Sequence, residues 1–133
     1  MFARKLLRPF GKVKASDIKA ELRAVGKLCK RDGHRNIVAA LNIGKLRDSP
    51  YYYIDMELCA ISLDAYIQRK WSSVVMEKLP QFVKVDSLST DLQWAQIRTI
   101  ATDTASGIAF LHAQKAIHRD LKPANGTLSS PPL

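Results

Sequence analysis

The sequence predicts an α+β fold in which short strands and one helix are followed by longer helices. Two observations carry this prediction. The runs "NIVAALNIG" and "YYYIDMEL" are rich in β-branched and aromatic residues, which is typical of strands. Two other segments repeat apolar residues every three or four positions, which is typical of amphipathic helices. With 133 residues, of which 47% are hydrophobic and 25% charged, the chain has the composition of a globular domain.

The first half of the chain supplies a strand and a helix ahead of those two strands. "MFARKLL" alternates apolar and basic residues as a strand does, and Pro9 and Gly11 close it with a turn. Ser16 can cap a helix that ends near Asp32-Gly33. The apolar stripe of this helix is formed by Ile18, Leu22, Val25 and Leu28.

The second half is predicted to be mainly helical. Ser62 is placed to cap a short helix in "SLDAYIQRKW", and residues 72–91 read as a long surface connection without a clear period. A long helix follows, with Asp91 as its cap. Its apolar stripe consists of Trp94, Ile97, Ala101, Thr104, Ile108 and Leu111.

Positive charge is concentrated at the start of the chain. Residues 1–47 hold 13 Lys and Arg against 3 Asp and Glu, a net charge of +10, whereas residues 48–133 carry −1. Such a segment could be a mitochondrial transit peptide or a nucleic-acid patch. Pro9 and Gly11 interrupt a transit helix, and no aromatic residues interleave with the charges as a single-strand binding groove requires. We therefore favour a solvated basic face over nucleic-acid binding.

The expected location is intracellular, either cytoplasmic or nuclear. Cys29 and Cys59 form no CxxC motif and are too few for a disulfide framework, which favours a reducing compartment. No secretory signal pattern is present, and no apolar run approaches the roughly 20 residues of a membrane-spanning helix.

A polar loop after the long helix carries the most specific motif. His118-Arg119-Asp120-Leu121, followed by Asn125, resembles the H-R-D-L-x-x-x-N catalytic loop of eukaryotic protein kinases. Fixed residue types at fixed spacing rarely arise by chance, and the motif follows a predicted helix, as its family context requires.

Other segments resemble the same family in the same order. "FARK" resembles the V-A-I-K strand, so Lys5 would contact the α- and β-phosphates of ATP and pair with Glu21 of helix C. "HRNIV" resembles the segment that leads into the next strand, and "YIDMELC" the strand and hinge that receive adenine. Met56 would be the gatekeeper, and the backbone from Glu57 to Cys59 would bond the base.

The resemblance implies a role for each polar residue of the loop. Asp120 would accept the proton of the substrate hydroxyl, Asn125 would bind Mg²⁺, and Lys122 would reach the transferred phosphate. His118 and Arg119 would hold the loop. The lysine in "DLKPAN" implies the serine/threonine class, so the cofactors would be ATP and Mg²⁺ and the partner a protein with a Ser or Thr acceptor. A metal site formed by His112 and His118 is the competing idea, but no Cys or acidic partner stands at ligand spacing.

The resemblance runs from residue 2 to residue 125 and implies a partial kinase fold. Residues 1–59 would form part of the small lobe, with antiparallel strands, helix C and the hinge; residues 60–125 would form the first helices of the large lobe. Residues 126–133 read as a tail outside the family pattern and are expected to be disordered. We find no glycine-rich phosphate loop and no D-F-G motif in the 133 residues.

We therefore expect a truncated serine/threonine kinase fragment with negligible activity. Apolar surface left uncovered on such a fragment would favour self-association. Two alternatives remain open, namely a pseudokinase-like binding module without catalysis and a basic nucleic-acid-binding module built on residues 1–47.

Overall fold

A computed structural model describes residues 1–78, 80 and 87–129. The chain divides into two compact units, Met1–Leu58 and Cys59–Leu133. Each unit has a small sheet and its own hydrophobic cluster. The α+β fold class is thereby confirmed.

The first unit is built on a three-stranded antiparallel sheet. Its strands are β1 (Phe2–Leu7), β2 (Ala40–Lys45) and β3 (Tyr52–Glu57), in the order β1-β3-β2. All three coincide with predicted strands. β3 lies between the other two strands and is buried or half-buried at five of its six positions, whereas β1 is largely exposed.

One helix, α1 (Ala15–Leu28), covers one face of this sheet. Ile18 and Leu22 of the helix are buried against Tyr52 and Ile54 of β3. Val25 packs beside them, so the predicted stripe is the buried side of the helix. Burying these side chains removes apolar surface from water and is the main force that holds the helix on the sheet.

The ends of α1 differ from the prediction. Ser16 lies inside the helix and is not its cap; the N-cap position is Lys14, whose backbone N–H donates to the Asp17 carboxylate at 2.8 Å. A carboxylate in the first turn can satisfy this N–H, so the chain starts its helix earlier. The helix also ends at Leu28, before the predicted stop at Asp32-Gly33.

The second unit begins with strand β4 (Ile61–Ser62) and the short helix α2 (Leu63–Ile67). Ser62 caps α2 as predicted, since its Oγ accepts a hydrogen bond from the Ala65 N–H at 3.1 Å. A further helix, α3 (Ser73–Lys78), lies where a connection without regular structure was predicted, so that prediction is wrong for these residues. Its Val75 is buried against Ile61, which explains why the segment folds. Residues 79 and 81–86 of the predicted connection lie outside the described residues.

The long helix α4 (Thr90–Ala113) confirms the second predicted helix. Its N-cap position is Ser89 rather than Asp91, which lies in the first turn, where its charge favours the positive end of the helix. Only one end of the predicted stripe is buried: Leu111 is 8% exposed, whereas Trp94 is 60% and Ile97 53% exposed. Among the described residues, no helix has the length and apolar character needed to cross a membrane.

The polar loop is followed by a 3₁₀ turn (Pro123–Asn125) and by strand β5 (Thr127–Leu128), which pairs antiparallel with β4. The expectation that the chain becomes disordered after Asn125 is therefore wrong for Thr127 and Leu128. Ser and Gly disfavour a central strand, but β5 has only two residues and one neighbour, and it needs only Leu128 to pack against the Ile61 cluster. Residues 130–133 lie outside the described residues.

Candidate active site

Lys5 and Glu21 meet in the first unit, as predicted. Lys5 stands opposite Ile54 in the sheet register, so its side chain shares the face that α1 covers. Glu21 precedes the buried Leu22 on α1 and reaches the rim of that face. The Lys5 Nζ lies 3.0 Å from the Glu21 Oε1, with side-chain exposures of 52% and 44%. An ion pair this exposed contributes only about 0–1 kcal/mol to stability.

The strand and hinge residues occupy the end of β3 and the residues just after it. Met56 packs against the core cluster of the first unit and pairs with Ala3 and Ala40 on the neighbouring strands. Met56 lies on the same face of the sheet as Lys5, because its partner Ala3 is two residues before Lys5 on β1.

Glu57 is tied to the segment before β2. Its N–H donates to the Ala39 carbonyl at 3.0 Å, and its Oε1 accepts from the Ala39 N–H at 2.8 Å. Cys59 is a half-buried free thiol in the second unit. A ligand bound at Glu57 to Cys59 must therefore use backbone groups other than the Glu57 N–H.

The catalytic-loop residues form a compact cluster in the second unit. The Lys122 Nζ lies 2.9 Å from the Asp120 Oδ2. The Asn125 Nδ2 donates to the same oxygen at 2.8 Å and to the Asp120 backbone carbonyl at 2.9 Å. These hydrogen bonds, led by that of Lys122, lower the pKa of Asp120 below its ordinary value, because they favour the charged carboxylate.

The backbone of the loop turns sharply to make this cluster possible. Arg119 has φ +67°, in the left-handed region that non-glycine residues rarely adopt. The Asp120 N–H donates to the His118 Nδ1 at 3.3 Å, and the Asn125 N–H to the Lys122 carbonyl at 2.9 Å. The strained residue thus adjoins the Asp120 carboxylate, a placement that is common at functional sites.

The donor set around Asn125 fits a hard divalent cation. The hydrogen bonds of its amide group to Asp120 both use Nδ2, so Oδ1 is the atom that could bind a cation. The described residues contain no group of three or more His, Cys, Asp or Glu side chains that could hold a metal. Mg²⁺ needs no such group, because it is commonly held by one or two protein oxygens together with substrate phosphates and water.

A second ion pair, which the sequence did not reveal, lies on the face of the sheet opposite Lys5. The Arg4 Nε lies 2.6 Å from the Asp55 Oδ1, and a second guanidinium nitrogen donates to Oδ2 at 2.8 Å. Asp55 is only 5% exposed, and the hydrogen bond from Arg4 lowers the pKa of its carboxyl group. The available signal was an acidic residue inside an apolar strand run, which requires a buried partner.

Known proteins share sequence with this chain over 59% to 80% of its length. The protein kinase domain model matches residues 1–130. The serine/threonine-protein kinase/endoribonuclease ireA of Aspergillus fumigatus is 31% identical over 107 residues, covering 80% of this chain and 8% of that protein. The serine/threonine-protein kinase TOS3 of Saccharomyces cerevisiae is 31% identical over 101 residues, covering 76% and 16%. The serine/threonine-protein kinase/endoribonuclease ire-1 of Caenorhabditis elegans is 33% identical over 78 residues, covering 59% and 6%.

The chain therefore spans 6% to 16% of the length of these three relatives. The family match nevertheless covers both units, from β1 to β5. With the kinase catalytic loop assembled around Asp120, the chain belongs to the protein kinase domain family.

Proposed function

We propose that the chain carries the lysine–glutamate pair and the catalytic loop of a serine/threonine kinase, which transfers the γ-phosphoryl group of ATP to a protein hydroxyl. The carrying observation is the cluster in which Lys122 and Asn125 both bind one oxygen of Asp120. The serine/threonine-kinase names of the relatives support the acceptor class.

Asp120 is suited to orient the acceptor hydroxyl. Its two side-chain contacts both use Oδ2, which leaves Oδ1 available to accept the hydroxyl proton. Because its pKa is lowered, Asp120 is ionised at neutral pH but is a weak base. It therefore aligns the hydroxyl for in-line attack and takes its proton late in the reaction, as a loose phosphoryl-transfer transition state allows.

Lys122 supplies positive charge at the same point. With its side chain 53% exposed, it can share the Asp120 carboxylate and also contact the oxygens of a phosphoryl group placed there. Negative charge on those oxygens is stabilised in the transition state by a fixed cation, which needs no reorganisation when the reaction occurs.

Lys5 and Glu21 act on the nucleotide. Glu21 holds the Lys5 ammonium in one position, from which it would bind the α- and β-phosphates of ATP. Met56 would border the adenine pocket, and the backbone between Glu57 and Cys59 would bond the base. The Oδ1 of Asn125 would ligate Mg²⁺, which neutralises charge on the phosphates when bound.

We further propose that these 133 residues by themselves transfer phosphate too slowly to detect. They contain no D-F-G motif, whose aspartate holds Mg²⁺ in kinases, and no glycine-rich loop over the phosphates. Phosphoryl transfer depends almost entirely on positioning and electrostatic stabilisation, so the loss of both groups removes most of the catalytic effect.

Nucleotide binding tests the site without requiring catalysis. A fluorescent N-methylanthraniloyl-ATP titration should show binding to the full chain that is strengthened by Mg²⁺. Lys5→Met should weaken it by about tenfold or more, since a lost contact to a charged group is worth about 1.5–3 kcal/mol. Lys12→Met removes an exposed lysine outside the site and is the matched control. Equal affinity of the two variants would refute the Lys5 assignment.

A transfer assay tests the second part. With radiolabelled ATP and a mixture of Ser- and Thr-containing peptides, we expect no incorporation above background. Incorporation that disappears in Asp120→Asn would show that the chain is an active kinase and would overturn the proposed inactivity, while supporting the role of Asp120.

A further inference from the structure

The sheet of the first unit has a second face, away from α1, on which arginines lie against aromatic rings. Strand alternation puts Phe2, Arg4 and Leu6 on the side opposite Lys5, and Tyr53 of β3 joins them. We name this surface the arginine–aromatic face. Its members are Phe2, Arg4, Arg8, Phe10, Tyr51 and Tyr53.

Two arginine–aromatic stacks make up this face. The Arg4 guanidinium carbon lies 4.6 Å from the ring centre of Tyr53 and 5.5 Å from that of Phe2. The Arg8 guanidinium carbon lies 5.3 Å from the ring centre of Phe10 and 5.9 Å from that of Tyr51. All four distances are within the range of cation–π attraction.

The stacks are held differently. Arg4 is held by its paired hydrogen bonds to the buried Asp55, its neighbour across the sheet, so the rings of Phe2 and Tyr53 lie against a guanidinium group in a fixed position. Arg8 forms no ion pair with any of the described carboxylates. The rings themselves remain accessible, since Phe2 is 51% and Phe10 73% exposed.

We propose that the arginine–aromatic face binds single-stranded nucleic acid. Proteins that bind single strands combine aromatic rings, on which bases stack, with cations that follow the phosphate backbone. The rings and Arg8 supply both elements, and residues 1–47, from which four of the six members of this face come, carry a net charge of +10. Along the sequence, no aromatic residues interleave with the basic ones. The pairing of β1 with β3 and the turn after β1 nevertheless bring aromatic rings next to the arginines.

A single strand fits this face better than the other anionic partners do. Bases in a duplex are stacked on each other and present no open ring to Phe2 or Phe10. An acidic peptide anchors its apolar side chains in pockets at the centre of an interface. Two surface cavities in the described part of the chain, one between Gly26 and Ile43 and one between Ala95 and Asp103, are lined by other residues.

Fluorescence anisotropy with a labelled oligouridylate of about 12 nucleotides, within the site size of such surfaces, tests the proposal on the full chain. We expect binding that weakens as salt is raised. Phe10→Ala should lower the affinity by about fivefold or more, because one stacked base is worth about 1–3 kcal/mol, and Phe10→Tyr should restore it. Arg8→Ala should reduce the slope of log K against log salt by about 0.7.

Arg23→Ala is the matched control. It removes one exposed cation of α1, away from the arginine–aromatic face, so it should alter affinity less than Phe10→Ala does. Circular dichroism melts of each variant confirm folding, and Phe10 is exposed enough to be replaced without loss of the core.

Three results would overturn the proposal. The first is equal affinity of Phe10→Ala and the unchanged chain. The second is equally tight binding of a duplex of the same length, and the third is equal competition by polyglutamate of matched charge. Binding of oligouridylate that is unaffected by Mg²⁺-ATP would leave the proposed nucleotide site untouched, so the two proposals fail separately.

Discussion

The Oδ2 of Asp120 receives two groups at once, the Lys122 Nζ at 2.9 Å and the Asn125 Nδ2 at 2.8 Å. All three residues come from one six-residue stretch, and the 3₁₀ turn Pro123–Asn125 brings its end back to its beginning. The arrangement leaves one oxygen of the carboxylate available, and it lowers the pKa of the group through hydrogen bonds that need its charged form.

This contact predicts how the loop titrates. Removing the ammonium group in Lys122→Ala should raise the pKa of Asp120 towards its ordinary value, since the largest cause of the lowering is lost. Asn125→Ala should raise it less. Carbon-13 NMR of the Asp120 carboxyl carbon measures both, with Lys115→Ala as the control lysine outside the cluster. An unchanged pKa in Lys122→Ala would show that this contact does not form.

The Arg4–Asp55 pair predicts how stability depends on acid. Because the folded-state pKa of Asp55 is lowered, its contribution to stability is complete above the ordinary carboxyl pKa of about 4 and is lost as pH falls through the lowered value. The urea concentration at the unfolding midpoint should therefore decrease as the pH is lowered through that range. In Arg4→Met the midpoint should be lower at neutral pH, because the buried carboxylate has lost its partner, and the acid-side fall should be missing. An identical fall in both proteins would contradict this assignment.

The core of the first unit predicts that substitutions on the two faces of its sheet differ greatly in their cost to stability. Ile54 is 3% exposed beneath α1, so Ile54→Ala should destabilise the unit by about 2–5 kcal/mol through lost contacts and a cavity. Leu6, on the other face, is 52% exposed, and Leu6→Ala should cost about 1 kcal/mol or less. Chemical denaturation of both variants tests the difference. Similar losses of unfolding free energy would contradict the packing of α1 on the face that bears Ile54.

The helix caps provide a paired test of sequence against structure. Ser62→Ala should destabilise the second unit by about 1 kcal/mol, because the cap of α2 is lost. Ser16→Ala should leave stability unchanged or raise it slightly, since this residue lies inside α1 and alanine is the better helix former. Thermal melts compare the two, and a larger loss for Ser16→Ala would restore Ser16 as a cap.

Several features of the fold could be predicted from the sequence because they depend on neighbours along the chain. Periodicity marked β3, α1 and α4, and the Ser62 cap followed from one hydroxyl placed before a helical run. The catalytic loop was also predictable, since its contacts join residues at most five positions apart. The ends of the helices could not be predicted in the same way. Groups that compete near a helix end, such as Asp17 beside Ser16, differ only slightly in energy.

Other features required the tertiary structure. β5 forms because Leu128 reaches the Ile61 cluster, although the local sequence disfavours a strand. Sequence similarity suggested that Lys5 and Glu21 pair, but their contact exists only because α1 packs on the face of β1 that bears Lys5.

The sequence by itself determined the local elements and the kinase catalytic loop, because period, capping and motif spacing act over a few residues. The tertiary structure alone decided that Arg4 pairs with Asp55, 51 positions away, and that Arg8 meets Tyr51. Both contacts depend on the antiparallel register of β1 and β3. A shift of that register by one residue would turn Arg4 and Arg8 to the face opposite Asp55 and Tyr51, and neither sequence segment shows the register alone.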